Sequence, residues 1–352
     1  MKIAIFVSLL TASVVTVQAQ EWYSREPILN KKFGTEAIGA VRAETSGGNL
    51  TVEGTDGEPH VEVYVWPSNR RDRNLSREEI QRKLDEEYDL TVSVSDRVLT
   101  AIAKPKEKFL NWNRSLSISF RIYTPHSVST DLRTSGGNIS LSGLTGAKQE
   151  FRTSGGNLNV ARISGNIVGR TSGGNISISD ANPNSKEEID LSTSGGNISA
   201  DHCKGAAIRL STSGGNLSMR YLEGTVTAGT SGGTVDGETI NGDLSAHTSG
   251  GNVHMSDLSG SLQASTSGGN IDVTMTGVGK FVKIHNSGGN IALQMPGGQG
   301  MDLSIHGDRI STTTLTNFKG DIGKKHIEGT LNGGGIPVDI DGSSGGIQLT
   351  LK

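Results

Sequence analysis

From residue 127 onward, apolar and polar positions alternate in short runs that return at intervals of about 18 residues. Two and four residues before the recurring Thr-Ser-Gly-Gly stand pairs such as Ile189/Leu191, Ile208/Leu210, Leu244/Ala246 and Val282/Ile284, with Asp190, Arg209, Ser245 and Lys283 between them. After the glycines the alternation resumes with Ile139/Leu141, Leu158/Val160, Leu217/Met219 and Ile271/Val273. A period of two predicts strands with one buried and one wet face. A further apolar residue (Leu144, Ile163, Leu222, Ile240, Leu258) is followed by Gly146, Gly165, Gly224, Gly242 or Gly260, which predicts a second corner.

Ser-Gly-Gly begins at 46, 135, 154, 172, 194, 213, 231, 249, 267, 287 and 344. Between 135 and 287 the steps are 19, 18, 22, 19, 18, 18, 18 and 20, the signature of a solenoid whose coils cannot bury their faces alone. Strands this short cannot close as hairpins without leaving polar edges. Stacked coils pair each strand in parallel with its equivalent about 4.8 Å away. The fold class is therefore all-β: a parallel β-solenoid over residues 127–352, right-handed coiling being favoured by strand twist. A left-handed hexapeptide helix also suits an 18-residue turn, but the apolar positions do not repeat every six. The segment ANPNSKEE (181–188) accounts for the longest step and reads as a loop.

At the corner, Gly-Gly is expected to supply backbone angles that a side chain would strain to adopt. Thr should pack its methyl and bond backbone with its hydroxyl. Asn138, Asn157, Asn175, Asn197, Asn216, Asn252, Asn270 and Asn290 should form an amide ladder, each side chain bonding the next. Thr234 replaces Asn once and Asn286 replaces Thr once, which a ladder tolerates and a catalytic set would not.

The N-terminal part differs. Residues 1–19 carry Lys2, an apolar run and Val17-Gln18-Ala19, the pattern of a secretory signal peptide released before Gln20. Residues 20–126 form the expected N-terminal cap: an early coil (TSGGN at 45–49), strands near 60–66, 90–95, 98–103 and 115–123, and one helix over 76–88 opened by a Ser76/Glu79 capping box. The double-glycine pattern at 333–335 and 344–346 carries the solenoid to the end of the chain, with 300–330 as a looser coil.

Composition narrows the chemistry. Of 352 residues, 49 are Gly and only 4% are aromatic, thin for a globular enzyme core. A net charge of −3 without a dominant sign gives nucleic acid or an anionic membrane no electrostatic support, and no later segment reaches transmembrane length. Cys203 stands alone, so no disulfide forms within the chain; it reads as buried or incidental rather than nucleophilic. Strands flank the glycine pairs, unlike a phosphate loop, and the Asp of calcium-binding solenoid repeats is missing. His247 and His285 occupy equivalent outward positions two coils apart, too far for one metal, and His254 lies on another face. Asp180, Asp201 and Asp257 read as solvated turn residues. No acid pair at glycosidase spacing stands out. Trp22, Trp66 and Trp112 precede the solenoid and read as cap core, so no aromatic platform for sugars is expected along it. Catalytic residues: none; cofactor-binding residues: none; metal ligands: none.

The TSGGN coils, the SREE helix and the ending NGGGIPVDIDGSSGGIQL resemble the bacterial putative-adhesin family of unknown function, related to the head-domain autotransporter adhesins. The resemblance covers roughly residues 36–352, with TSGGN where many relatives have TSSGD. It implies an exported β-solenoid and carries over no catalytic residue. The expected function is a noncatalytic envelope or secreted interaction scaffold in the periplasm, on the outer cell surface or outside the cell. Its partner would be a protein or glycan there. The alternatives are a polysaccharide-active β-helix enzyme and a structural element that assembles end to end.

Overall fold

The apolar pairs on either side of each corner form two parallel ladders that run along a common core. A computed structural model describes residues 26–34, 37–68, 75–106, 115–182 and 187–352; the expected signal peptide, Trp22 and Trp112 lie outside the described residues. In the first ladder Ser129–Thr134, Lys148–Arg152, Asn166–Arg170 and Glu188–Ser192 pair in parallel and without slippage. The order continues through the second half of Ile198–Ser211 and of Leu217–Gly229, then Leu244–His247 and Val253–Thr266. In the second ladder Leu50–Gly54, Ile139–Leu144, Leu158–Ile163, Ile176–Ala181 and Ile198–Ser211 follow one another in the same way.

Register turns the sequence periodicity into columns. Ile167, Ile189, Ile208, Val226, Leu244, Leu262 and Val282 stack one per coil, and all are buried. Burying one such side chain stabilises by about 1.5–3 kcal/mol. A coil that contributes several such residues gains that energy only against its neighbours, which is why the repeat must be stacked to fold.

The Thr-Ser-Gly-Gly-Asn corner joins coils by two sets of hydrogen bonds. From Thr134 to Thr266 each corner Thr hydroxyl donates to the second-glycine carbonyl of the coil before and accepts from the second-glycine N–H of its own coil. Thr212, for example, donates to Gly196 O at 2.8 Å and accepts from Gly215 N at 3.3 Å. Asn286, which stands in place of Thr, donates through Nδ2 to Gly269 O at 2.9 Å and accepts through Oδ1 from Gly288 and Gly289 N. It keeps both halves of the bridge. The Asn ladder differs from an amide-to-amide stack: each Oδ1 accepts the backbone N–H of the next ladder residue, at 2.8 Å from Asn49 to Asn138 and from Asn138 to Asn157. A backbone donor is available whatever the next side chain is. Thr234 therefore joins the ladder as a donor, its N–H 2.9 Å from Asn216 Oδ1.

The glycines are needed for a different reason from the one the sequence led us to expect. The second glycine is not in the left-handed region; it sits against the coil below. A Cβ on Gly215 would come within 1.9 Å of Gly196 O, whereas one on Gly214, the first glycine, would meet nothing closer than 3.8 Å. Unusual angles belong to the other glycine corner, where Gly224, at φ +130°, meets both constraints: a Cβ there would also clash with Gly205 O.

Spatial order departs from chain order at both ends. The early coil, Ala40–Thr45 with Leu50–Gly54, lies directly on the coil built from Ser129–Thr134 and Ile139–Leu144. Val98–Pro105 and Leu116–Thr124 stack outside it in parallel, and their antiparallel partners Tyr88–Ser95 and His60–Pro67 lie beyond. Leu29–Lys32 pairs with His60–Pro67. The helix spans Arg77–Glu87 with Ser76 as N-cap, its capping box formed with Glu79, and it buries Ile80 and Leu84.

At the other end Ile336–Leu351, the last strand of the chain, is inserted between Ile271–Asn286 with Ile291–Met295 on one side and Met301–Thr312 on the other. The antiparallel hairpin His326–Leu331 and Phe318–Ile322 then covers part of Met301–Thr312. The 300–330 stretch is therefore a terminal layer and not a looser coil in sequence order.

Of the 181–188 insertion, residues 183–186 are not described. Asn182 is not a solvated loop residue: it is fully buried and clamps the preceding coil, accepting from Gly165 N at 2.9 Å and donating to Gly165 O at 3.1 Å.

Candidate functional site

A third corner lies between the two glycine corners. Eight residues after seven consecutive Ser-Gly-Gly serines, Ser135 to Ser249, the backbone turns left-handed: Gly143 (φ 68°), Arg162 (52°), Asp180 (53°), His202 (50°), Tyr221 (50°), Thr239 (54°) and Asp257 (55°). The left-handed turn interrupts the alternation, so two consecutive residues face outward before Leu144, Ile163, Ala181, Cys203, Leu222, Ile240 and Leu258 re-enter the core. Cys203 thus fills one place in an aliphatic column, where burial pushes its thiol up to about 12. That agrees with a buried, unreactive cysteine.

The left-handed conformation costs an L-residue other than Gly, Asn or Asp roughly 1–2 kcal/mol. Arg162, Tyr221 and the β-branched Thr239 are therefore outliers of a kind that concentrates at functional sites. Their side chains project in a column spaced by the strand separation of about 4.8 Å.

At the middle of this column is a groove of about 570 Å³. Tyr221 and His202, on adjacent coils, line it and stack with centroids 4.5 Å apart and planes 27° from parallel. Tyr221 is 46% exposed, one of two large hydrophobic side chains left open among the described residues. Asp201 Oδ1 lies 3.1 Å from His202 Nδ1. Arg162 and Lys204 line the groove with Asp180 and Glu223, so the formal charges of these four cancel. Lys204 and Glu223 pair with each other at 2.8 Å. Thr239 and Asn241 add neutral polar groups at one end.

A second outward feature lies on the first ladder. Register brings Arg133, Arg152, Arg170, Ser192, Ser211, Gly229, His247, Ser265, His285, Asp341 and His306 into one row, with His326 opposite His306. The Arg end is matched by acids on the same face, as in Arg170–Asp190 at 2.7 Å. The His end is matched likewise: His285–Asp341 and His306–Glu328 at 3.1 Å, and His326–Asp321 at 2.6 Å.

His247 and His285 are separated by the coil carrying Ser265, and His254 lies on the second ladder facing Asp272 at 3.6 Å. Among the described residues no three His, Cys, Asp or Glu side chains converge on a point that could hold a metal ion. None of the described helices is long and apolar enough to cross a membrane. Trp66 lies half-buried in the outer N-terminal layer, its ring 6.2 Å from that of Tyr64.

Sequence reasoning missed the groove because its column is occupied by Arg, Asp, His, Tyr, Thr and Asp in turn, with no shared residue type to mark it. The place was marked only indirectly, by two polar residues standing together before the next apolar one.

A strand-rich repeat stack with an apolar interior and a variable outer column defines a β-solenoid fold. The Toastrack DUF4097 family model matches residues 183–350. Similar solved structures include a "putative adhesin" from Bacteroides fragilis NCTC 9343, 12% identical, covering 92% of this chain and 96% of that one, with a TM-score of 0.35. A "putative lipid binding protein" from Parabacteroides distasonis is 14% identical, with 94% and 98% covered and a TM-score of 0.32. A "putative adhesin" from Parabacteroides merdae is 12% identical, with 91% and 95% covered and a TM-score of 0.28. The search of curated proteins gave no significant match.

Proposed function

We propose that this chain is an exported, noncatalytic interaction scaffold of the cell envelope or outer surface, of the adhesin type. One observation carries the reading: an interior repeated coil after coil supports a column of unlike outward side chains held in a strained backbone conformation. Strain kept at Arg162, His202, Tyr221 and Thr239 of one outward column, above a packed core, is what a binding surface on a rigid frame requires. Export rests on the signal-peptide pattern of residues 1–19.

The test is binding of the mature chain, residues 20–352, to whole bacterial and host cells, to isolated envelopes and to immobilised glycans. Saturable binding to at least one of these supports the scaffold. Binding to none of them would sink it.

A further inference from the structure

We propose that the groove at the third corner binds a neutral oligosaccharide, with the exposed face of Tyr221 as the stacking platform for one sugar ring. The inference deepens the scaffold reading above and rests on it for its biological setting.

Three independent observations lead to this ligand class. The first is the platform. Tyr221 presents nearly half of its surface to solvent while its ring is packed against that of His202, 4.5 Å away between centroids. A pyranose ring has an apolar face of C–H groups that packs flat on an aromatic ring, and a ring already packed loses little entropy on accepting it.

The second is charge. Arg162 and Lys204 are balanced by Asp180 and Glu223, and Lys204 already pairs with Glu223. A groove with no net formal charge gives a phosphate, a carboxylate or a polyamine no electrostatic advantage. It does offer both donors and acceptors to the equatorial hydroxyls around a sugar ring, as do Thr239 and Asn241.

The third is shape. The groove crosses successive coils, so side chains recur along it at the strand spacing of about 4.8 Å. That is comparable with the length of one sugar residue, so an extended oligosaccharide could meet one coil per sugar. The volume of about 570 Å³ accommodates a short stretch of such a chain. Strain supports the same assignment. Tyr221 occupies a left-handed position where Asn or Gly would be less costly, which is expected when the ring is kept for what it contacts.

The experiment titrates the mature chain with neutral hexasaccharides of β-1,4-glucose, β-1,4-mannose, β-1,4-xylose and α-1,4-glucose, and with an acidic galacturonate hexamer. It is followed by calorimetry and by the NMR signals of the Tyr221 ring. At least one neutral hexamer should bind, shift those signals and be recovered intact. Tyr221→Ala should weaken binding about tenfold or more, and Tyr221→Phe should retain it. Tyr221→Asn, which suits the left-handed backbone, should fold as the wild type does and lose binding, separating recognition from folding.

If no neutral hexamer binds, if the acidic one binds tighter than all of them, or if Tyr221→Ala binds like wild type, the saccharide assignment is overturned. Cell or envelope binding that persists in that case leaves the scaffold reading standing; the scaffold reading falls only if cells, envelopes and glycans alike go unbound.

Discussion

Replacing Thr212 by Val tests whether the corner hydroxyl, and not merely the shape of Thr, holds neighbouring coils together. Thr212 is only 4% exposed, and its hydroxyl joins Gly196 O at 2.8 Å to Gly215 N at 3.3 Å. Val keeps the volume and the methyl contact but removes both bonds inside the stack. A buried polar group left without a partner costs about 1–3 kcal/mol, so the carbonyl and the amide together put the expected loss at roughly 2–4 kcal/mol. That is a large share of the ~5–15 kcal/mol typical of a folded domain. Thr212→Asn should cost less than about 1 kcal/mol, because Asn286 already bridges the equivalent groups with Nδ2 and Oδ1. Urea unfolding followed by circular dichroism provides the measurement. Val within about 0.5 kcal/mol of wild type, or Asn as damaging as Val, would refute the bridge.

The same unfolding assay separates the two corner glycines. Gly215→Ala should destabilise by about 3 kcal/mol or more, since its Cβ would lie 1.9 Å from Gly196 O. Gly214→Ala, with nothing closer than 3.8 Å, should stay within about 1 kcal/mol of wild type. Ser76→Ala removes half of the capping box at the helix start and should cost about 1 kcal/mol. Cys203 should resist iodoacetamide at pH 8 until the chain unfolds, because its thiol is raised from 9.0 to about 12 by burial. The folded state then holds a proton that the unfolded state has lost, so this contribution is complete below about pH 9 and disappears as pH rises toward 12. Cys203→Ala should flatten that alkaline decline.

The solenoid was legible because its interior obeys one rule at every coil. Alternation around Ile208/Leu210 and Leu217/Met219, and the spacing of the glycine pairs, state the coil length, the buried face and the main corner directly. Other properties depend on which coil lies next in space, and a repeat pattern says nothing about that. Nothing around 336–351 indicates that this strand pairs between two earlier segments, so the His285–Asp341–His306 row was hidden. The steric cause of the second glycine was hidden for a related reason, since the atom that excludes a Cβ belongs to another coil. Tyr221 and His202 are 19 residues apart with no common motif, and only the left-handed corner places their rings face to face.

The inserted end coils also bear on whether the protein assembles end to end. A bare terminal coil would present a row of unpaired backbone groups, the template on which another copy could add. Neither end is left that way. At the N-terminal end the parallel layers are followed by antiparallel strands, with the helix packed beside them and burying Ile80 and Leu84. The further strand there, Leu29–Lys32, is four residues long and carries two lysines. At the other end the outermost strand, Phe318–Ile322, contains Lys319, Gly320 and Asp321 and is exposed over nearly its whole length. Short, charged, antiparallel edges cannot continue a parallel ladder in register, and an incoming coil would have to desolvate Lys319 and Asp321 to pair there. Among the described strands these edges oppose end-to-end addition, and under the scaffold reading proposed above that leaves the sides of the stack, including the left-handed column through Tyr221, for a partner.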